Sequence, residues 1–259
     1  MAKFNLTLTG AGGALGRVLR PRLIARGAAL TASGHRLPEP VAPEERVLAG
    51  DMREDTAVDA ALAGADVVIH LAGSSVEKPL AEIIQNNLIA LQRLYEGARR
   101  HQVKRVVFAS SNHTIGMYPA GQPLKLSDPV RPDGNYGLSK VWGEVMGQLY
   151  FDKFGIETVS LRIGSAIERP TEPRHLSTWL GYDDLEDLVW RAATVPDVGC
   201  LTVWGVSANT RSWWDNSLAA TVLGYVPKQN AEDYAEEVLH ARDPNWIFQG
   251  GSFALMDLT

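Results

Sequence analysis

Short apolar runs, separated by glycine turns and by segments of helical period, make up the first two thirds of the chain. Phe4-Asn5-Leu6-Thr7-Leu8-Thr9 predicts a first strand, followed by a helix from about Leu15 to Arg26. A second run, Ala28-Ala29-Leu30-Thr31-Ala32, ends at Ser33-Gly34, and a third, Arg46-Val47-Leu48-Ala49, ends at Gly50-Asp51. Asp66-Val67-Val68-Ile69-His70-Leu71 and Arg105-Val106-Val107-Phe108-Ala109 predict a fourth and a fifth strand. Helical patterns lie near Asp55 to Ala63 and from Pro79 to Arg100. After a helix carrying Tyr136 and Lys140, Thr158-Val159-Ser160-Leu161-Arg162-Ile163 predicts one more strand. Strands that alternate with helices build βαβ units. The expected fold is therefore α/β, a Rossmann-type, doubly wound parallel sheet with helices on both faces. Ligands of such sheets bind beyond the carboxyl ends of the strands, and every motif below falls at that end.

The last hundred or so residues are less regular and carry Trp179, Trp190, Trp204, Trp213, Trp214 and Trp246. No linker-like stretch separates them from the rest. One domain over residues 1–259 is expected, with residues after about 164 forming a small C-terminal substrate-binding region.

Bulk properties narrow the function. A chain of 259 residues can bury a substantial core. A formal net charge of −5 gives no reason to expect nucleic acid or an anionic membrane as partner. A single cysteine, Cys200, excludes an internal disulfide and a cysteine-based zinc cluster and favours a reducing compartment. No apolar run approaches the roughly 20 residues of a membrane span, and the N-terminus enters a strand without a signal-peptide pattern. A cytoplasmic protein without a metal is expected. A homo-oligomer is expected too, since the tryptophan-rich part could bury an interface as readily as a core.

The chemistry sits in the motifs. Gly10-Ala11-Gly12-Gly13-Ala14-Leu15-Gly16 places Gly10, Gly13 and Gly16 where a strand turns into a helix. There a pyrophosphate approaches backbone N–H groups and the positive helix end. Asp51 is suited either to accept from an adenine amino group or to cap the following helix. His70-Leu71-Ala72-Gly73 offers small residues for approach to a ribose, with His70 itself read as a core histidine. An NAD enzyme normally ends its second strand with an acid that holds the ribose hydroxyls. Here the residues are Ser33-Gly34-His35-Arg36, with no acid before Glu39. Arg36 and Ser33 can donate to a 2′-phosphate there, Arg in bidentate fashion, so these residues favour NADP.

Tyr136 and Lys140 are four apart and share a helix face. An ammonium beside a phenol favours the phenolate and lowers a pKa normally about 10, which makes a tyrosine a general base. Ser111, in Ser110-Ser111-Asn112-His113, can hold the substrate oxygen while Tyr136 takes its proton. Asn112 and His113, at the same strand exit, suit sugar hydroxyls. Arg174, in a proline-rich loop, offers the fork that recognises a carboxylate.

Through the glycine turn, Ser111 and Tyr136-x-x-x-Lys140, the chain resembles the extended short-chain dehydrogenase/reductase family. Ser110 to Gly116, Arg131 to Lys140, Leu161-Arg162-Ile163-Gly164-Ser165, Leu176 to Leu180 and Trp213-Trp214-Asp215-Asn216 look like the members of that family that oxidise hexuronates. The resemblance implies oxidation of the anomeric carbon of glucuronate or galacturonate to an aldarolactone, with NAD⁺ as the usual acceptor. Tyr136 is then the proton acceptor, Lys140 binds the nicotinamide ribose and tunes Tyr136, and Ser111 orients the substrate. Ser75, Asn112, His113, Ser165 and Arg174 match the positions lining the sugar site. The cofactor set so implied also takes in Ala14, Leu15, Met52, Leu71, Ala72, Gly73, Asn87 and Ile163. The family typically carries an Asp where this chain has Gly34, so NADP acceptance or preference is expected here. Two alternatives share the scaffold. One is a sugar-nucleotide epimerase or dehydratase, usually with a larger C-terminal part. The other is a non-catalytic dinucleotide sensor, whose expected mark is the loss of Tyr or Lys.

Overall fold

Leu6 and Leu8 are fully buried on strand β1 (Asn5–Thr9), which makes β1 a central strand rather than an edge. In the computed structural model, which describes residues 4–36, 39–240 and 247–258, it pairs in parallel with β2 (Ala29–Gly34) on one side and β4 (Val67–His70) on the other. Beyond β2 lies β3 (Arg46–Ala49), and beyond β4 come β5 (Arg105–Ser111), β6 (Glu157–Ile163) and a last strand, Cys200–Gly205. The seven-stranded sheet thus runs outward in two directions from β1 and β4. At this switch point the strand ends open a crevice.

Both faces are covered. Helix α1 (Ala14–Ala25) and the helix Tyr182–Thr194 bury Leu19, Leu23, Leu185 and Leu188 against one face. On the other face, α2 (Asp55–Leu62), the helix Ala90–Arg100 and the long helix Asn135–Phe154 contribute Val58, Leu62, Leu94, Tyr95, Met146 and Tyr150. A smaller cluster holds Trp204, Trp213 and Trp214, with Trp204 and Trp214 stacked at 5.0 Å. Trp246 lies outside the described residues. No helix among the described residues is long and apolar enough to cross a membrane.

Two departures from the sequence reading matter for the site. The C-terminal part is more regular than expected, since Tyr182–Thr194 is a helix and Cys200–Gly205 completes the sheet. The helical stretch after Pro79 is not uniform either. It opens as Leu80–Ile83, widens into a π-helical turn at Ile84–Ile89 and continues as Ala90–Arg100. Such widened turns are frequent at functional sites, and this one carries Asn86 and Asn87.

Candidate active site

The turn after β1 fits a dinucleotide on two observations. A Cβ at Gly16 would lie 2.5 Å from the Gly10 carbonyl oxygen and 2.6 Å from that of Ala11, so only glycine lets the helix start this close to the strand. Gly10 has φ +69°, and a Cβ there would lie 2.7 Å from the Ala72 nitrogen. α1 then begins behind Gly13 with no side-chain cap, leaving its first N–H groups for an anion. These residues line one end of a cavity of about 980 Å³ that runs along the strand ends.

Gly10, Gly13, Ala14, Leu15, Gly16, Gly34, His35, Arg36, Asp51, Met52, Leu71, Ala72, Gly73 and Ile163 all line that cavity. Ser33 does not. It is 1% exposed and lies off the wall, so the expectation that its hydroxyl donates to a phosphate is corrected. Asn87 also lies off the lining, because its amide is fully used elsewhere. Its Oδ1 accepts from the Ser74 N–H at 2.7 Å, and its Nδ2 donates to the Ser74 carbonyl and to Ser139 Oγ. Asn86 lines the cavity instead and donates to Ser74 Oγ at 3.1 Å. The widened turn thus pins the loop that carries Ser75.

Around the end of β2, Arg36 and Arg53 bring positive charge, that of Arg53 compensated by Asp51. His35, Arg36 and Arg53 all face the cavity there. Asp51 is engaged by Arg53, whose Nη2 and Nε donate to it at 2.6 and 3.0 Å, and this hydrogen bonding holds its carboxyl below the usual range. Asp51 does not cap α2, whose N-cap is Glu54. Sequence reasoning missed Arg53, although Asp51-x-Arg53 at a strand exit carried the signal.

Tyr136, Lys140, Ser111, Asn112, His113 and Ser75 meet at the other end of the cavity. Behind them, Glu144 accepts from Ser110 Oγ at 2.6 Å and from Arg162 Nη2 at 2.8 Å, fixing the exit of β5. Ser111 Oγ accepts from the His113 N–H at 3.2 Å, which leaves its own O–H free to donate. Glu77 is a further residue that no motif signalled. Its carboxylate accepts from the N–H groups of Asn135 and Tyr136 at 2.9 and 3.0 Å, tying the Ser75 loop to the start of the Tyr136 helix.

The charges of the pair differ from the expectation. Lys140 Nζ donates to the Ala109 carbonyl at 2.7 Å and lies 5.3 Å from the Tyr136 ring centre. Burial pushes Lys140 down to about 8 and Tyr136 up to about 12, the nearby Ser111 hydroxyl only partly offsetting the latter. In the protein by itself, desolvation therefore outweighs any lowering of the Tyr136 pKa by Lys140. His70 is the core residue expected. It is 2% exposed, bonded to Thr9 Oγ1 at 2.8 Å and driven down to about 3 by burial.

Ser165 and Arg174 sit at the margin rather than on the cavity wall. Arg174 Nη1 donates to the Gln249 carbonyl at 3.2 Å and Nη2 to Ser165 Oγ at 3.4 Å. Its Nε is buried without a hydrogen-bond partner among the described residues, and Glu172 Oε1 lies 3.4 Å away. Asn112 Nδ2 reaches the same Gln249 carbonyl at 3.4 Å. Gln249 thereby docks the C-terminal segment over the site, and Phe253 of that segment stacks on His113 at 4.2 Å. No sequence pattern near Phe253 announced this contact.

A parallel switch-point sheet, a glycine cradle for a dinucleotide and a Tyr–Lys–Ser cluster define a nicotinamide-dinucleotide enzyme. A family model described as the NAD dependent epimerase/dehydratase family matches residues 6–196. The uronate dehydrogenase of Pseudomonas putida is 46% identical over 259 residues, covering 97% of this chain and 96% of that one. The crystal structure of uronate dehydrogenase from Agrobacterium tumefaciens is 46% identical, with a TM-score of 0.94 over 100% of this chain and 99% of that one. A glucuronic acid dehydrogenase from Chromohalobacter salexigens is 41% identical, with a TM-score of 0.94 over 99% and 98%. The chain belongs to the NAD dependent epimerase/dehydratase family and, within it, to the uronate dehydrogenases.

Proposed function

We infer that this protein oxidises the anomeric carbon of cyclic hexuronates, glucuronate and galacturonate, to aldarolactones. One observation carries the substrate class beyond the family. Arg174 borders the Tyr136 end, and its Nη2 makes only a long contact of 3.4 Å to Ser165 Oγ, so that arm of the fork has capacity to donate to a carboxylate. The residues that would hold the dinucleotide are the glycine turn, Arg36, Met52, Leu71 to Gly73, Lys140 and Ile163. When bound, the cofactor supplies the hydride acceptor and a positive ring charge that favours the phenolate. Tyr136 as phenolate removes the anomeric hydroxyl proton, and Ser111 donates to the same oxygen. Lys140 adds positive charge beside the phenol. Ser75, Asn112, His113, Ser165 and Arg174 orient the sugar in a single domain, with the wall built mostly before residue 164 and the later residues closing its margin through Ser165, Arg174 and Phe253.

For cofactor choice, Gly34, Arg36 and the Arg53-engaged Asp51 support acceptance of NADP⁺, with preference over NAD⁺. The test is a set of initial rates with galacturonate, glucuronate, galactose and glucose, each with both cofactors. Uronates alone should be oxidised, faster with NADP⁺. Equal rates with the parent hexoses would remove the role of Arg174. A clear NAD⁺ preference would remove the role of Arg36.

A homo-oligomer is supported by an exposed apolar stripe on the Tyr136 helix, formed by Leu138, Trp142, Val145 and Leu149 at 46% to 65% exposure. Trp142→Glu should then lower the mass measured by light scattering, and an unchanged oligomer would exclude this face. Cys200, a free thiol pushed up to about 11 by burial, suits a reducing, cytoplasmic setting.

A further inference from the structure

We propose that Asp133 is a positioning residue. It fixes the tautomer of His113, so that His113 Nε2 accepts a hydrogen bond from a hydroxyl of the sugar. This rests on the hexuronate reading above, and its test is separable from it.

Asp133 Oδ2 lies 2.7 Å from His113 Nδ1, and the Asp133 side chain is 0% exposed. A carboxylate only accepts, so Nδ1 must carry the hydrogen. In the neutral form of the ring, Nε2 is then a bare acceptor. The other faces of the imidazole are taken. Phe253 stacks on it at 4.2 Å, and Tyr136 meets it edge-on at 5.5 Å. Since His113 lines the cavity beside Tyr136 and Ser111, Nε2 is the atom left for a ligand.

The carboxylate is placed at some cost. A Cβ at Gly116 or at Gly250 would collide with Asp133 Oδ2, and one at Gly137 would lie 3.0 Å from Oδ1. Three glycines from separate segments leave the space that the carboxylate fills. Gly250 is bonded to the Gly116 carbonyl at 2.9 Å, closing that cradle. Among the described residues, Asp133 Oδ1 has no hydrogen-bond partner. Burying a half-satisfied carboxylate is unfavourable for stability. A group kept this way, bonded to a cavity-lining imidazole, points to control of that imidazole.

Asp133→Asn preserves the shape of the cradle but places an amide opposite Nδ1. The amide carries no charge and either its oxygen or its N–H₂ can face Nδ1, so the exclusive hold on Nδ1–H is lost and the Nε2–H tautomer, which turns the acceptor into a donor, becomes populated. Expected is a roughly 10- to 100-fold loss in kcat/KM for hexuronates, with cofactor KM changed less than about twofold. In a His113→Gln background the same substitution should add nothing, because coupled residues are non-additive. Long-range ¹H–¹⁵N spectra of labelled protein should show His113 protonated at Nδ1 in the wild type, with an added Nε2-protonated population in Asp133→Asn. Multiplicative losses in the double variant, or full kcat/KM in Asp133→Asn, would overturn the proposal. So would a wild-type ring protonated only at Nε2, a result that needs no variant to fold. A wild-type protein that oxidises no hexuronate would remove the functional reading while the spectra still decide the tautomer.

Discussion

A Tyr136→Phe enzyme is expected to lose turnover by roughly a hundred- to ten-thousand-fold, the range contributed by a positioned acid–base group. Cofactor binding should stay nearly unchanged, since the ring remains and only the hydroxyl is removed. The site also fixes the pH behaviour. A phenol pushed up to about 12 is ionised at pH 7 in roughly one molecule in 10⁵. The phenolate must therefore be drawn out by added positive charge, and the pKa must fall when oxidised cofactor binds. Phenolate absorbance of the wild type, referenced to Tyr136→Phe, should titrate near 12 in the free protein and well below it in the cofactor complex. Oxidation should accordingly speed up as pH rises through the lowered pKa. A titration that ignores the cofactor, or a Phe variant with wild-type turnover, would rule out Tyr136 as the base.

Gly34→Asp is expected to reverse the cofactor preference. The carboxylate would repel a 2′-phosphate and accept from the ribose hydroxyls instead. Arg36→Ala removes a charge-assisted fork at the same corner. Losing a hydrogen bond to a charged group costs about 1.5–3 kcal/mol. Each change should therefore lower the NADP⁺ to NAD⁺ ratio of kcat/KM by roughly 10- to 100-fold. The pair should compound, because one change adds repulsion and the other removes attraction. Arg53 adds little to the shift, since its charge is compensated by its pairing with Asp51 on the same wall. Kinetics of the two single variants and the double variant with both cofactors check this. An unchanged ratio would mean that neither residue meets the ribose.

The parallel sheet was legible because β1 to β6 are short apolar-rich runs that end in, or run shortly into, glycine or small residues. The glycine turn, Tyr136, Lys140 and Ser111 were legible because their chemistry depends on local spacing. The helix Tyr182–Thr194 also carries its period, with Leu185, Leu188, Val189, Ala192 and Ala193 buried, but the surrounding tryptophans masked it. Ser33 misled because facing the cavity depends on how a strand exit is packed, and it is buried off the wall. Asn87 misled because a π-helical turn resets the angular position of every residue after it. Glu77, Asp133 and Phe253 act through contacts between segments far apart in sequence, with Glu77 58 positions from Asn135 and Asp133 20 from His113. No local pattern encodes such contacts. Tyr136 shows the same limit for electrostatics, since spacing reveals a neighbouring ammonium but not the depth of burial that outweighs it.

The most direct measurement uses hexuronate deuterated at the anomeric carbon, with product and cofactor followed by NMR. Expected are deuterium on the reduced nicotinamide, an aldarolactone as first product and a slower rate than with the protonated sugar. Recovery of epimerised or dehydrated sugar with no net reduced cofactor would contradict hexuronate oxidation and return the chain to the nucleotide-sugar chemistry of its wider family.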